Sequence, residues 1–287
     1  MNTKKTMVLV LGFVVLGSVS ASVRGADDPA KSAWAAESVK IDGQITDWTD
    51  VPRSLEKSLG IEYAFRNNDQ NLYALLVFKD PKSLSTINTT GITLYFSPEG
   101  KKNKDRGIKF VQRMVTADEL IASLEKSGQT LTDERKQQLR AKNNYMLYDS
   151  SIVDSDDKVL GPAVGTGPSA PPVFRFARMG AEVVYEFRVP MFKDGDHPAG
   201  IGTSPGQTLK AGFSWGGMTK EMRDAQISRL SSQGSRASDS GGEIRATSAD
   251  SEGLSYNQGS PSLESVLRGP KRHTFWADVV LAAPEVK

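Results

Sequence analysis

The chain has 287 residues, with 36 Lys and Arg against 34 Asp and Glu, and no cysteine. That length admits one large β domain or two smaller ones. The absent thiols exclude a disulfide framework, a thiolate metal site, a cysteine nucleophile and a lipoprotein attachment point.

Residues 1–21 read as an export signal: Lys4 and Lys5 form the charged start, Met7–Gly17 the apolar core, and Val19-Ser20-Ala21 a small-residue cleavage site. The apolar run is shorter than the roughly 20 residues a bilayer-spanning helix needs. The expected location is periplasmic or secreted, in a bacterium, with no membrane span. Removing the signal takes away two lysines and no acid, leaving 34 charges of each sign. A general polyanion-binding role, nucleic acid included, loses its compositional support.

Residues 22–38 are small and polar and read as a loose leader with Trp34 as the only large apolar residue. A single domain is expected over 39–282, followed by a short tail, 283–287. It opens with Val39-Lys40-Ile41-Asp42-Gly43, two apolar residues alternating across a lysine before an Asp-Gly turn. Ile61, Tyr63 and Phe65 alternate with Glu62 and Ala64 as in a half-buried strand. Leu72–Phe78 is apolar on both faces, as a central strand should be, and Asp80-Pro81 ends it. Gly91–Phe110 reads as a hairpin whose basic tip runs from Lys101 to Arg106.

The β rhythm breaks over 116–141, read as a helical insertion. Thr116 with Glu119 forms a capping box, and Asp133-Glu134 supplies the acidic first turn of a second helix. Weak strands follow at Tyr145–Tyr148 and Ser151–Val153, then a loop over 161–172. A second hairpin pairs Val173–Met179 with Glu182–Val189 across Gly180. Strands at Gln207–Trp215 and Lys271–Ala282 close the domain, and 218–230 could form a short helix. Between them, 231–270 is rich in Ser, Gly, Asp and Arg and reads as a mobile loop. The expected fold is mainly β: a two-sheet antiparallel β-sandwich, immunoglobulin- or jelly-roll-like, of about 10 strands with a helical insertion.

The stretch IDGQITDWTDVP resembles the opening of family 9 carbohydrate-binding modules and the wider DOMON-like sandwich group, and the downstream strand order is also similar. The resemblance implies non-catalytic binding of a saccharide or cell-envelope glycan. It implies a core role for Trp48 and directs attention to tryptophans that could clamp a sugar, because an indole matches the apolar C–H side of a pyranose. Trp215 and Trp276 are the ligand-binding candidates, each on a strand beside a long loop. Such modules usually accompany a catalytic domain; none is expected here, so an envelope structural or protein-interaction module is the second expectation. A haem-binding electron-transfer subunit is the third, with Met179, Met191 and His197 as residues to test, although the haem motif is not recognisable.

Remaining motifs are weaker. The lysines at the hairpin tip have no interleaved aromatics for base stacking, so a solvated turn is their plain reading and an anion contact the functional one. Asp154, Asp156 and Asp157, and Asp194 with Asp196, have the spacing that oxygen-ligated Ca²⁺ uses, but neither set continues into an EF-hand loop. Both are also ordinary polar-loop sequences. No G-x-S-x-G elbow or H-E-x-x-H spacing is present, and no enzyme activity is expected. Asn88-Thr89-Thr90 is a glycosylation sequon, relevant only to a eukaryotic source.

Overall fold

The computed structural model describes residues 23–24, 28–79, 84–126, 128–163, 171–195, 197–218, 222–225, 227–228 and 271–284. The expected export signal, the whole 231–270 loop and Asp196 lie outside them. No helix among the described residues is long and apolar enough to cross a membrane.

Among the described residues, fourteen strands form two sheets. They are β1 (Val23–Arg24), β2 (Ala30–Lys31), β3 (Ala33–Trp34), β4 (Arg53–Glu56), β5 (Ile61–Asn67), β6 (Asn71–Phe78), β7 (Ile92–Ser97) and β8 (Gly107–Thr116). The rest are β9 (Asn144–Val153), β10 (Val159–Pro162), β11 (Val173–Met179), β12 (Glu182–Pro190), β13 (Thr208–Trp215) and β14 (His273–Val280). Sheet one runs β1-β4-β5-β6-β12-β11, with β3 also paired to β5; sheet two runs β10-β9-β8-β7-β13-β14-β2. The long strands pair antiparallel, as expected of a sandwich. Three parallel pairs, β1 with β4, β2 with β14 and β3 with β5, make both sheets mixed.

All three parallel strands come from the segment read as a loose leader. Their pairing corrects that reading: this segment passes from sheet one to sheet two and back. Ser32 sits at the crossing. Its N–H donates to the Val280 carbonyl (3.0 Å), and its hydroxyl bonds Asn67.

The main core lies between the sheets. Sheet one contributes Ile61, Tyr63, Phe65, Leu76, Phe78, Tyr185 and Phe187; sheet two contributes Leu94, Phe110, Phe213, Trp215 and Phe275. Period-2 alternation puts these side chains on the inner faces. The apolar outer residues of β6, Tyr73, Leu75 and Val77, have a separate cause. With Val184 they meet Val39, Trp48 and Val51, so residues 35–51 cover the outer face of sheet one. That cover explains why β6 is apolar on both sides.

The helical insertion forms as expected. Helix α2 (Ala117–Lys126) starts with a reciprocal box: the Thr116 N–H donates to Glu119 Oε2 (2.8 Å) and the Glu119 N–H to Thr116 Oγ1 (3.3 Å). Helix α3 (Asp133–Arg140) is capped by Thr132. Val115, Leu120, Ile121 and Leu139 make a small satellite core against Tyr145 and Leu147. The two weak strands at 145–153 are one continuous strand, β9. Helix α1 (Leu84–Thr90), which had no periodic signal, precedes β7. The 218–230 expectation is seen only at 222–225 and 227–228, which are helical.

Candidate functional site

Alternation and register decide where the candidate tryptophans face. In β13, Leu209, Ala211, Phe213 and Trp215 point inward, whereas in β14 Phe275, Ala277 and Val279 do. Trp276 is therefore on the opposite face of sheet two from Trp215. Trp215 is 2% exposed, packed edge-on to Phe78 (5.5 Å between centroids) and stacked with His273 (5.5 Å, 16°). The expected clamp is thereby corrected: the two indoles share neither a face nor a cavity, and Trp215 offers no ring to a ligand. Trp48 is fully buried, as expected.

Trp276 occupies a different setting. The outer face of sheet two is a grid set by strand register. One row runs Asp278–Lys210–Ser97, the next Trp276–Gly212–Tyr95–Gly107, and the third Thr274–Ser214–Thr93–Lys109. The middle row alternates aromatic and glycine. A Cβ on Gly212 would meet three atoms of the Trp276 six-membered ring, each at 2.8 Å, so that ring lies face-down on the bare backbone. A Cβ on Gly107 would meet Tyr95 Cε1 at 2.7 Å, so the Tyr95 ring lies over Gly107 in the same way. The two rings are near-parallel, 6.1 Å apart at 29°. Glycine in a strand interior marks such close approach.

Trp276 is half-buried, with part of its ring still open to solvent, while Tyr95 is buried beside it. The Asp154–Lys158 turn lies near Tyr95. Asp157 adopts a left-handed φ of 64°, and its carboxylate accepts from Arg272 Nη2 (2.5 Å) and Thr93 Oγ1 (3.4 Å). Burial, then the Asp157 charge, pushes the Tyr95 hydroxyl up to about 12, so it is a neutral phenol at physiological pH. Lys104, from the basic hairpin tip, places its ammonium 5.9 Å above the Tyr95 ring. Polar pairs flank Trp276 along the strands: Lys210 with Asp278 on one side, and Ser214 with Thr274 (3.0 Å) on the other. A flat aromatic surface ringed by donors and acceptors can take a ligand with one apolar face and polar edges.

The other candidates do not converge. Asp154 Oδ1 accepts the N–H groups of Asp156 (2.9 Å) and Lys158 (3.0 Å), so it shapes the turn, while Asp157 pairs with Arg272. Among the described residues no group of three His, Asp or Glu side chains is placed to hold a metal ion. Met179 and Met191 stand at opposite ends of β12, and Met191 is buried in the core. His197 Nδ1 bonds Asp194 (2.8 Å) and its ring packs on Phe192. These three do not form one site.

His273 gives the neighbourhood of Trp215 a pH response. Burial, then the charge of Lys271, holds its imidazole below the ordinary 6.5. The unfolded chain then takes up the proton first, so the stability this neutral ring contributes is present above pH 6.5 and is lost as pH falls toward the folded value. Unfolding midpoints in urea should drop over that window, and His273→Phe, which keeps the stack, should flatten the drop. An unchanged pH profile in the variant would contradict this assignment.

No protein-family model matches the chain, and no curated protein matches it. Among solved structures, it is similar to a family 9 carbohydrate-binding module from Caldicellulosiruptor kristjanssonii in complex with glucose. That alignment has 10% identity and a TM-score of 0.33, covering 67% of this chain and 80% of that one. The complex of a family 9 module from the same organism with cellotriose aligns at 10% identity and a TM-score of 0.32, covering 67% and 78%. The two-sheet architecture described above rests on the strand pairing itself.

Tyr95, Gly107 and Gly212 were missed by sequence reasoning. The available signal was Gly212 inside an otherwise regular strand, set against an outward-facing tryptophan on the strand that follows it.

Proposed function

We propose that this chain is an exported, non-catalytic saccharide-binding module whose contact surface is the outer face of sheet two around Trp276. The observation that carries the reading is the Trp276 indole laid flat on Gly212, half-buried, between the Lys210–Asp278 and Ser214–Thr274 pairs. A pyranose would place its C–H face on the indole and its hydroxyls toward those polar pairs. Export rests on the basic, apolar and small-residue order of residues 1–21.

Two substitutions test the reading by titration against soluble gluco- and N-acetylglucosamine oligosaccharides. Trp276→Ala removes the platform, and affinity should fall at least about 30-fold, the range of an aromatic anchor worth roughly 2 kcal/mol. Gly212→Ala should do nearly the same from beneath: its methyl must displace the ring, which is the free end of a side chain, so the fold survives and the platform does not. Full affinity in both variants, or no binding by the wild type, would overturn the proposal.

A further inference from the structure

The basic hairpin tip leads to a second surface. A cleft of about 200 Å³ opens at one end of the sandwich, between the turn from Ser97 to Gly107 and the residues Lys193, Ala199, Gly200 and Ile201. Its floor is apolar, from Leu94, Ile108 and Ile201, and two cations stand in its walls, Arg106 and Lys193. Several cations elsewhere are matched to carboxylates, Arg53 and Lys79 to Glu62, Arg113 to Asp149, Lys210 to Asp278 and Arg272 to Asp157, while others such as Arg175 and Arg188 bond backbone carbonyls. Arg106 and Lys193 have no such partner among the described residues. Arg106 donates one N–H to the Pro198 carbonyl, which ties the hairpin to the loop and leaves the rest of the guanidinium open. Glu99 and Asp105 also line the cleft, but both are exposed and neither pairs with a cation.

Lys193 is held against a tightly packed pair of segments, 190–193 and 200–202. A Cβ on Gly200 would meet the Phe192 carbonyl oxygen at 1.7 Å, and the Lys193 stem runs alongside Gly202, whose φ is +80°. The Ile201 N–H donates to the Pro190 carbonyl (3.0 Å) and the Gly202 N–H to the Met191 carbonyl (2.8 Å). Burial, then the nearby Arg106 charge, holds the Lys193 ammonium below its ordinary value. Two like charges share the cleft, and among the described residues neither forms an ion pair with the exposed Glu99 or Asp105, an arrangement an anion relieves.

We infer that this cleft is a binding site for an anionic oxygen group, a carboxylate, sulfate or phosphate, gripped by Arg106 and Lys193 above the apolar floor. The site is separate from Trp276 and does not depend on the saccharide reading. Its source is a free oxyanion or an acidic sugar, and the probes distinguish them: inorganic sulfate, inorganic phosphate, glucuronate, and glucose as the neutral control. Followed by amide chemical shifts, at least one anionic probe should move Arg106, Ile201 and Gly202 while glucose does not. Glucuronate alone assigns an acidic saccharide; sulfate or phosphate alone assigns a free oxyanion. Lys193→Met, on an exposed side chain, should weaken binding about tenfold, and Arg106→Gln should do the same, as loss of one charge-assisted contact predicts. Anion saturation should raise the Lys193 titration point, which a purely structural lysine would not show. Trp276→Ala should bind the anion as well as wild type. No anion-dependent shift at the cleft, or full affinity in both charge variants, overturns the assignment.

Discussion

Glu186→Ala is expected to destabilise the protein by about 4 kcal/mol, because it strands three donors that reach one carboxylate. Glu186 lies on the outer side of β12, 0% exposed. Its Oε2 accepts the N–H of Asp42 (2.9 Å) and of Gly43 (2.6 Å), and its Oε1 accepts the indole N–H of Trp48 (2.6 Å). Burial pushes this carboxyl above its ordinary range, and the three donors pull against that. Removing the acceptor would release residues 39–51, which close the outer face of sheet one. Against a total stability of about 5–15 kcal/mol the loss is large. Urea unfolding should show a lower midpoint with an unchanged slope. Glu186→Gln keeps one acceptor oxygen and should lose less. A change below about 1 kcal/mol in Glu186→Ala would contradict the carboxylate's role.

Asn67→Ala is expected to cost about 3 kcal/mol by unstitching the two sheets at their N-terminal crossing. Asn67 is fully buried at the end of β5. Its side chain reads the backbone of Ala282, just past β14: Nδ2 donates to the carbonyl (2.9 Å) and Oδ1 accepts the N–H (2.9 Å). The Ser32 hydroxyl donates to the same Oδ1 and accepts from the Ala282 N–H (2.8 Å). The Asn67 carbonyl meanwhile accepts the Ala35 N–H (2.8 Å). One amide thus joins β5, the end of β14 and the crossing segment. Asn67→Asp loses the donor and should also destabilise. Thermal unfolding within a degree or two of wild type in Asn67→Ala would count against the stitch.

The parts legible in the sequence were those where local pattern and tertiary need coincide. The β11–β12 hairpin turns at Gly180, whose φ is +64°, and the Thr116–Glu119 box opens α2 because both halves of that signal are local. The IDG…DW stretch was legible as a turn and a core tryptophan, but its reason was not. Gly43 is required because its φ is +84° and a Cβ there would lie 2.5 Å from the Phe176 backbone. Asp47 accepts the Lys40 N–H, and the whole unit docks on Glu186, 138 residues beyond Trp48. Glu186 alternates with the inward Tyr185 and Phe187, which marks it only as an outward position, although the apolar outward residues of β6 imply a covered face. The leader strands are two residues each, too short for any periodicity, and their partners are remote. The tryptophan pair failed for a related reason. Alternation orders the faces within β13 and within β14, but only the cross-strand register tells which faces of the two strands coincide.

The saccharide reading turns on which indole a ligand touches. The direct measurement is a heteronuclear spectrum of the four indole N–H groups during titration with gluco- and N-acetylglucosamine oligosaccharides. The account predicts a saturable shift of the Trp276 signal, with Trp48 and Trp215 unmoved in their buried sites. A saccharide that binds while the Trp276 signal stays still, or an indole spectrum that no saccharide alters, would contradict it.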